Sequence, residues 1–291
     1  MSWRIVSVSS ISKLDYKMDY MEVRNAEGTQ RVHLSEISIL IVESTAVSLT
    51  AYLLCELIRH KIDIIFCDEK RLPYGMLLPL YGCHDTSRSY RKQVEWTEET
   101  KGIIWQEIVK SKIRGQAFVL PDERDSERNL MLSYIPQVMP GDVTNREGHA
   151  AKVYFNALFG MGFSRDDECA INAALNYGYG IMLSAFAREI VACGYCTQIG
   201  LHHVNVFNDF NLASDLMEPF RPFVDLVVRD MDHSEFGKEQ KLQLVRMLNE
   251  QIKIGGQYQF MINAIRVYVR SVFDAIDEQD PSYLRFPVYE L

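Results

Sequence analysis

Two patterns of apolar and polar positions divide the chain. Over the first eighty residues the runs are short, rich in β-branched and aromatic residues, and partly alternating, the pattern of half-buried strands. WRIVSVSS (3–10), KMDYMEVRN (17–25), QRVHLSE (30–36) and ISILIVE (37–43) are such runs, and IDIIFCD (62–68) reads as a further buried strand. Asn25-Ala26-Glu27-Gly28 has the length and the glycine of a hairpin loop. One segment breaks the pattern: in SLTAYLLCELIRH (48–60), Leu49, Leu53, Leu54, Leu57 and Ile58 recur at helical spacing. From about residue 87 the period is helical almost throughout, predicting helices over 87–117, 124–135, 145–159, 166–193, 211–230, 235–253 and 257–278, with Gly102 a candidate break in the first. The expected fold class is therefore α+β: a β-rich domain over 1–80, a polar connection YGCHDTSRSY over 81–90, and a larger all-helical domain over 91–291. No repeat or low-complexity run interrupts this plan.

The stretch richest in potential chemistry is IGLHHVNVFNDFNLASDLMEPFRPFVD (199–225). Two adjacent histidines, His202 and His203, precede Asp209, Asp215, Glu218, Arg221 and Asp225, all set among apolar residues. In a helix starting at Asn211, Asp215 and Glu218 share a face. Pro219 and Pro222 stop or kink that helix, since proline lacks an N–H and clashes with the preceding turn, and they disfavour helical geometry at Glu218 and Arg221. Spacing alone leaves two readings open: a divalent-metal site, or an amphipathic helix with a solvated acidic face. Arg221 is four residues before Asp225, a spacing that suits an ion pair better than a nucleic-acid contact.

Composition narrows the class. The chain of 291 residues is 47% hydrophobic and 24% charged, enough for two domains of ordinary globular character. No signal-peptide pattern opens it and no apolar run reaches the roughly 18 residues of a membrane span, so the expectation is a cytoplasmic protein with no membrane partner. Six scattered cysteines suit reduced thiols, and Cys193-Gly194-Tyr195-Cys196, with no second pair, reads as a packed helix end. The net charge is −8, with 18 Lys and Arg against 20 Asp and Glu in residues 1–145 and 13 against 19 in 146–291. That balance argues against a protein that simply coats DNA, which would usually be basic, and any contact with phosphates must use local patches. Arg88, Arg91 and Lys92 form one candidate patch; Lys110, Lys112 and Arg114, near Trp105, form another; ordinary solvated faces are the competing reading.

Two further segments match 199–225 in interest. Thr144-Asn145-Arg146-Glu147 fits the capping box, in which the glutamate bonds back to the helix start. NAALNYGYGIMLSAFAREIVACG (172–194) is a long helix carrying Asn172, Asn176 and Tyr177, read as packing or as phosphate contacts. Taken in order, NREGHAAKVYFNALFG, the NAALNYGY helix and LASDLMEPFRPFVD resemble the signature of the CRISPR-associated integrase family, CRISPR-associated protein one, and the Glu-Pro form of the last motif is most similar to members from type II systems. The resemblance is close over about 141–230 and weaker before it.

The resemblance implies the rest. Glu147, His203 and Glu218 are the implied metal ligands and catalytic residues. His203 is preferred to His202 because it stands 56 residues after Glu147 and 15 before Glu218, the register of the type II members. Asp215 stays open as an alternative ligand or as a group supporting the ligands. A carboxylate set with one imidazole suits Mg2+ or Mn2+. The implied reaction is attack by the 3′-hydroxyl of a short DNA fragment on a phosphodiester at the end of a CRISPR repeat, or by water to give endonuclease cleavage, with the β-rich domain holding a homodimer that CRISPR-associated protein two bridges. A non-catalytic DNA-binding scaffold is the alternative. A ferritin-like metalloenzyme would need Glu-x-x-His motifs, and none occurs. In the tail, 280–291, Pro281 and Pro287 prevent a helix, while Tyr283, Leu284, Phe286, Val288 and Tyr289 require burial, either on the tail's own domain or on a partner.

Overall fold

The computed structural model describes residues 4–80 and 83–289, which fall into two compact units, Met1–Gly82 and Cys83–Leu291. In the smaller unit the strands are β1 (Arg4–Val8), β2 (Lys13–Lys17), β3 (Tyr20–Asn25), β4 (Gly28–His33), β5 (Ile37–Val42), β6 (Ser48–Leu49), β7 (Asp63–Cys67) and β8 (Pro73–Leu77), with one helix, α1 (Ala51–Arg59). They build two four-stranded sheets, ordered β1-β5-β7-β8 and β4-β3-β2-β6. β5 pairs in parallel with both β1 and β7. Its sequence ISILIV is apolar at nearly every position and buried at all six, as a central parallel strand requires. The expected hairpin is present, with Asn25 opposite Gly28 in the β3–β4 pair. The run 17–25 is not one strand: Met18 and Asp19 both take positive φ and turn β2 back as β3. Leu53 and Leu57 of α1 pack into a core with Leu14, Met21 and Leu40 from both sheets and Leu34 from the turn before β5.

The larger unit is mostly helical, and the all-helical domain expected there also carries a small three-stranded sheet. Its helices are α2 (Thr86–Val94), α3 (Glu98–Val119), α4 (Asp125–Tyr134), α5 (Arg146–Phe159), α6 (Ala170–Ala192), α7 (Asn211–Leu216), α8 (Arg221–Arg229), α9 (Lys238–Met247) and α10 (Met261–Asp277). Of the 81–90 connection, residues 81 and 82 lie outside those described, and residues from Thr86 onward already belong to α2. The break in 87–117 falls at residues 95–97, not at Gly102; Thr97 caps α3, its hydroxyl accepting the Thr100 N–H at 3.1 Å. α3 and α6 run through the middle of the unit, buried along most of their length.

The helical reading of 235–253 and 257–278 needs one correction. Residues 251–260 form a hairpin, β9 (Gln251–Ile254) and β10 (Gln257–Phe260), turned by Gly255 and Gly256. Both glycines take positive φ, 58° and 80°, which suits the tight hairpin turn. The third strand of this sheet is the tail: β11 (Pro287–Val288) pairs antiparallel with β9. Phe286 packs near Tyr268, and Tyr289 stacks on Phe223 at 4.7 Å and donates its hydroxyl to the Pro219 carbonyl. Gly115 of α3 is where that ring comes through: a Cβ there would lie 2.4 Å from it. Up to Tyr289, then, the tail is packed on its own unit, the first of the two alternatives posed for it. Residues 290 and 291 lie outside those described.

Candidate active site

The break expected in 211–230 is present and sets the site. α7 ends at Leu216, a single 3-10 turn spans Glu218–Phe220, and α8 restarts at Arg221 with Pro222 in its first turn. Glu218 stands on that turn with its carboxylate buried. Its Oε1 accepts from Arg221 Nε at 2.9 Å, and its Oε2 lies against the Lys112 ammonium. Burial alone would raise the Glu218 pKa; the Arg221 and Lys112 charges outweigh it and hold the carboxyl below its ordinary range.

Glu147 reaches the same ammonium from the other side. Lys112 Nζ donates to Glu147 Oε1 at 2.5 Å, so two carboxylates from distant segments share one buried lysine on α3. The capping-box reading of Glu147 is not met. The N-cap of α5 is Asn145, in the left-handed region, whose side chain accepts the Gly148 N–H. Asp142 accepts the Arg146 and Glu147 N–H groups, each at 2.9 Å. With the helix start satisfied by those two residues, the Glu147 side chain is released toward Lys112.

His203 is set by a different carboxylate. Asp215, fully buried on α7, accepts the backbone N–H groups of Leu201 (2.6 Å), His202 (3.0 Å) and His203 (3.1 Å), and is joined to His203 Nδ1 at 2.5 Å. Four contacts use its two oxygens, which makes Asp215 a holder of the His203 ring and leaves little of it to ligate. Gly200 permits the wrap, since a Cβ there would come within 2.6 Å of both Asp215 Oδ2 and the His203 carbonyl. The Asp215 hydrogen bond, against burial and with help from the Glu218 charge, raises the His203 pKa. His202 is engaged differently: its ring lies flat on Trp105, 4.5 Å between centroids and 5° between planes. Trp105 and Lys112, seven residues apart on α3, line the same face of that helix.

Behind the carboxylates lies Asp225. The expected Arg221–Asp225 pair does not form, because Arg221 turns to Glu218 and lies over the Tyr179 ring at 4.5 Å. Asp225 instead accepts the hydroxyls of Tyr154 (3.0 Å) and Tyr179. Burial pushes its carboxyl up to about 6, against those two hydrogen bonds and the charges of Arg221 and Lys112.

The remaining candidates divide cleanly. Asn172 packs, donating to the Ser164 and Asp167 carbonyls at 2.8 Å each. Asn176 accepts from Arg165 at 2.7 Å, and Tyr177 is buried against Phe236. In the two basic clusters, Lys110 pairs with Glu107 and Lys92 with Asp277, while Arg88 and Arg91 are exposed. Arg114 is exposed at the rim of a groove of about 1030 Å3. Lys112, read as surface charge, is buried at the site. The described cysteines are free thiols, Cys193 and Cys196 among them. Among the described residues no helix is long and apolar enough to cross a membrane.

The fit to a divalent cation can be judged on this geometry. Among the described residues no three His, Cys, Asp or Glu side chains stand ready to hold a metal ion. The reason is visible in the site: Glu147 and Glu218 are drawn together, but onto the Lys112 ammonium. The donor set is that of a hard cation, and Glu218 Oε2 is a buried oxygen with no directed hydrogen bond, facing a positive charge. The residues therefore fit the cation that the resemblance implies.

A β-sheet unit joined to a helical unit, with glutamates and a carboxylate-held histidine gathered about a broken helix, defines the class. The family model "CRISPR associated protein Cas1" matches residues 6–247, and the chain belongs to that family. The "CRISPR-associated endonuclease Cas1" of Neisseria meningitidis is 33% identical over 99% of this chain and 96% of its own length. One from Pyrobaculum aerophilum is 27% identical over 74% of this chain and 77% of its own. Solved structures also share the fold, two of them as follows. "Casposase bound to integration product" matches with a TM-score of 0.78, 18% identity, and coverage of 96% of this chain and 92% of that one. A Cas1 protein from Thermotoga maritima matches at 0.69 and 17%, covering 95% and 97%.

Proposed function

We propose that the protein is a divalent-metal-dependent DNA integrase and endonuclease that inserts short DNA fragments into a CRISPR array. The observation that carries this reading is the convergence of Glu147 and Glu218 on one buried cation, with His203 held alongside by Asp215. Further support comes from what the relatives and neighbours are: endonucleases by name, a casposase bound to an integration product, and a Cas6-RT-Cas1–Cas2 complex matched at a TM-score of 0.74 and 15% identity over 97% of this chain and 36% of that one.

Glu147, His203 and Glu218 would hold Mg2+ or Mn2+, which when bound supplies charge stabilisation to a phosphodiester and its departing oxygen. The chain's own residues do the positioning. Asp215 fixes the ring so that Nδ1 is engaged and Nε2 is left to ligate. Arg221, anchored over Tyr179, keeps the Glu218 carboxylate ionised in a buried setting. The substrate is double-stranded DNA: a 3′-hydroxyl attacks the phosphorus, a new ester forms as the old one breaks, and no ATP is needed. The working form on this reading is a homodimer joined to Cas2, in the cytoplasm.

The test is integration of a short duplex into a CRISPR-bearing plasmid by the protein with Cas2. Glu147→Ala, His203→Ala and Glu218→Gln should each abolish product while DNA binding persists, and His202→Ala should be milder. Wild-type turnover by the triple variant would end the proposal.

A further inference from the structure

Lys112 is the one charged group at the centre whose position no part of the proposed reaction explains. It rises from the middle of α3, is 7% exposed, and touches both glutamates at once. Two carboxylates brought this close repel each other unless a cation lies between them, and in a buried setting the repulsion is strong. Arg221 answers Oε1 of Glu218; Lys112 answers Oε2 of Glu218 and Oε1 of Glu147.

An ammonium 2.5 Å from Glu147 Oε1 and in contact with Glu218 Oε2 stands where a cation ligated by those same oxygens would stand. A divalent ion bound to carboxylates lies about 2.0–2.2 Å from them, so ion and ammonium cannot use those oxygens together. Arg221 is not the group that yields, being stacked over Tyr179 and bonded to Glu218 Oε1, an oxygen Lys112 does not use. Lysine, a point charge on a four-carbon stem, is the one that can swing away. Its exit is on the Glu147 side, where that side chain is 32% exposed.

We propose that Lys112 is a built-in cation that closes the carboxylate pair in the metal-free protein and must leave those oxygens when a divalent ion binds, so that Lys112 sets the metal affinity of the centre. The inference rests on the reading of Glu147 and Glu218 as metal ligands. It makes Lys112 a positioning residue with two effects of opposite sign: it stabilises the fold without metal and weakens metal binding.

The experiment is Mn2+ binding to the full chain, without DNA, by calorimetry and by loss of the free-ion electron paramagnetic resonance signal. Lys112→Met keeps the stem and removes the charge. It should bind Mn2+ more tightly than wild type, on the scale by which groups around a ligand set tune affinity, about 10- to 100-fold. Its metal-free melting temperature should fall below wild type, and saturating Mn2+ should restore it. Lys112→Arg keeps the charge in a larger group that does not lose it, and should bind no more tightly than wild type. Equal or weaker binding by Lys112→Met, with wild-type binding lost in Glu147→Gln, would overturn the role of Lys112 and leave the metal centre standing. Binding by no variant, or binding indifferent to Glu147→Gln, would overturn both. If Lys112→Met folds only with Mn2+ present, that supports the proposal. If it does not fold at all, Lys112→Arg decides: tighter binding than wild type refutes the competition, and weaker binding supports it.

Discussion

Replacing Asp225 by asparagine should make the protein more stable at neutral pH than at acid pH, relative to wild type. Asp225 is 1% exposed and its carboxyl is pushed up to about 6 from an ordinary value of 3.8. A group whose folded pKa is raised contributes stability below its unfolded pKa and loses it as pH rises through the folded pKa. Here the loss runs from about pH 4 to somewhat above 6, because in that window the unfolded chain has released a proton the folded protein still holds. Between its ordinary value and about 6 the carboxyl contributes on the order of 3 kcal/mol, most of it falling between pH 4 and 7.5. Asparagine cannot ionise and keeps most of the local bonding: its oxygen accepts one tyrosine hydroxyl, and its NH2 donates to the oxygen of the other, which can turn to accept. The assay is urea unfolding of both proteins at the two pH values, followed by tryptophan fluorescence, since Trp96 and Trp105 both belong to the larger unit. The stability of Asp225→Asn relative to wild type should rise by about 2–3 kcal/mol from pH 4 to 7.5, on the order of 1 M in midpoint. A relative stability that stays flat, or falls toward neutral pH, would show that the buried carboxylate ionises without cost and would refute the reasoning.

Other changes test the supports of the site. Asp215→Asn leaves an NH2 facing N–H donors on one side, so it should cost about 3 kcal/mol in urea unfolding and abolish integration with DNA binding retained; a stable, active variant would remove Asp215 as the holder of His203. Gly115→Ala should displace Tyr289 and lower the melting temperature by the equivalent of about 1–3 kcal/mol. Truncation before residue 280 should do so at least as strongly, and a truncation that melts and integrates as wild type does would show the packed tail to be dispensable.

Much of the architecture was legible because period and burial agree. β5 and α6 are apolar enough that only one structure buries them, and the prolines at 219 and 222 announce the break that positions Glu218. The misreadings have a common cause. In 251–260 and in 17–25, short strands joined by two-residue turns were merged with neighbours of similar hydropathy. Gly255-Gly256 was a readable hairpin signal; Met18-Asp19, without a glycine, was not.

The site was less legible, for a physical reason that the lysine illustrates. Local rules assign a charged residue to solvent or to a partner one turn away, and they served for Lys110 with Glu107. They failed for Lys112, whose partners come from two other segments, and for Arg221, which turned back to Glu218 and not forward to Asp225. They failed again at Glu147, where Asn145 and Asp142 satisfy the helix start that the capping box reserves for the glutamate. For Lys112 the partners lie 35 and 106 residues away, so no short window of sequence contains the pair; for Arg221 and Glu147 the competing partners are local, and only the tertiary structure decides between them. Such a centre stores its balance in the tertiary structure. Glu147 and Glu218 face Lys112 and Arg221, two acidic side chains against two basic ones. On the proposed reading, a divalent ion that takes the Glu147 and Glu218 oxygens must displace a cation that now holds them. Of the two cations Arg221 is held over the Tyr179 ring, and Lys112 has no such ring among the described residues.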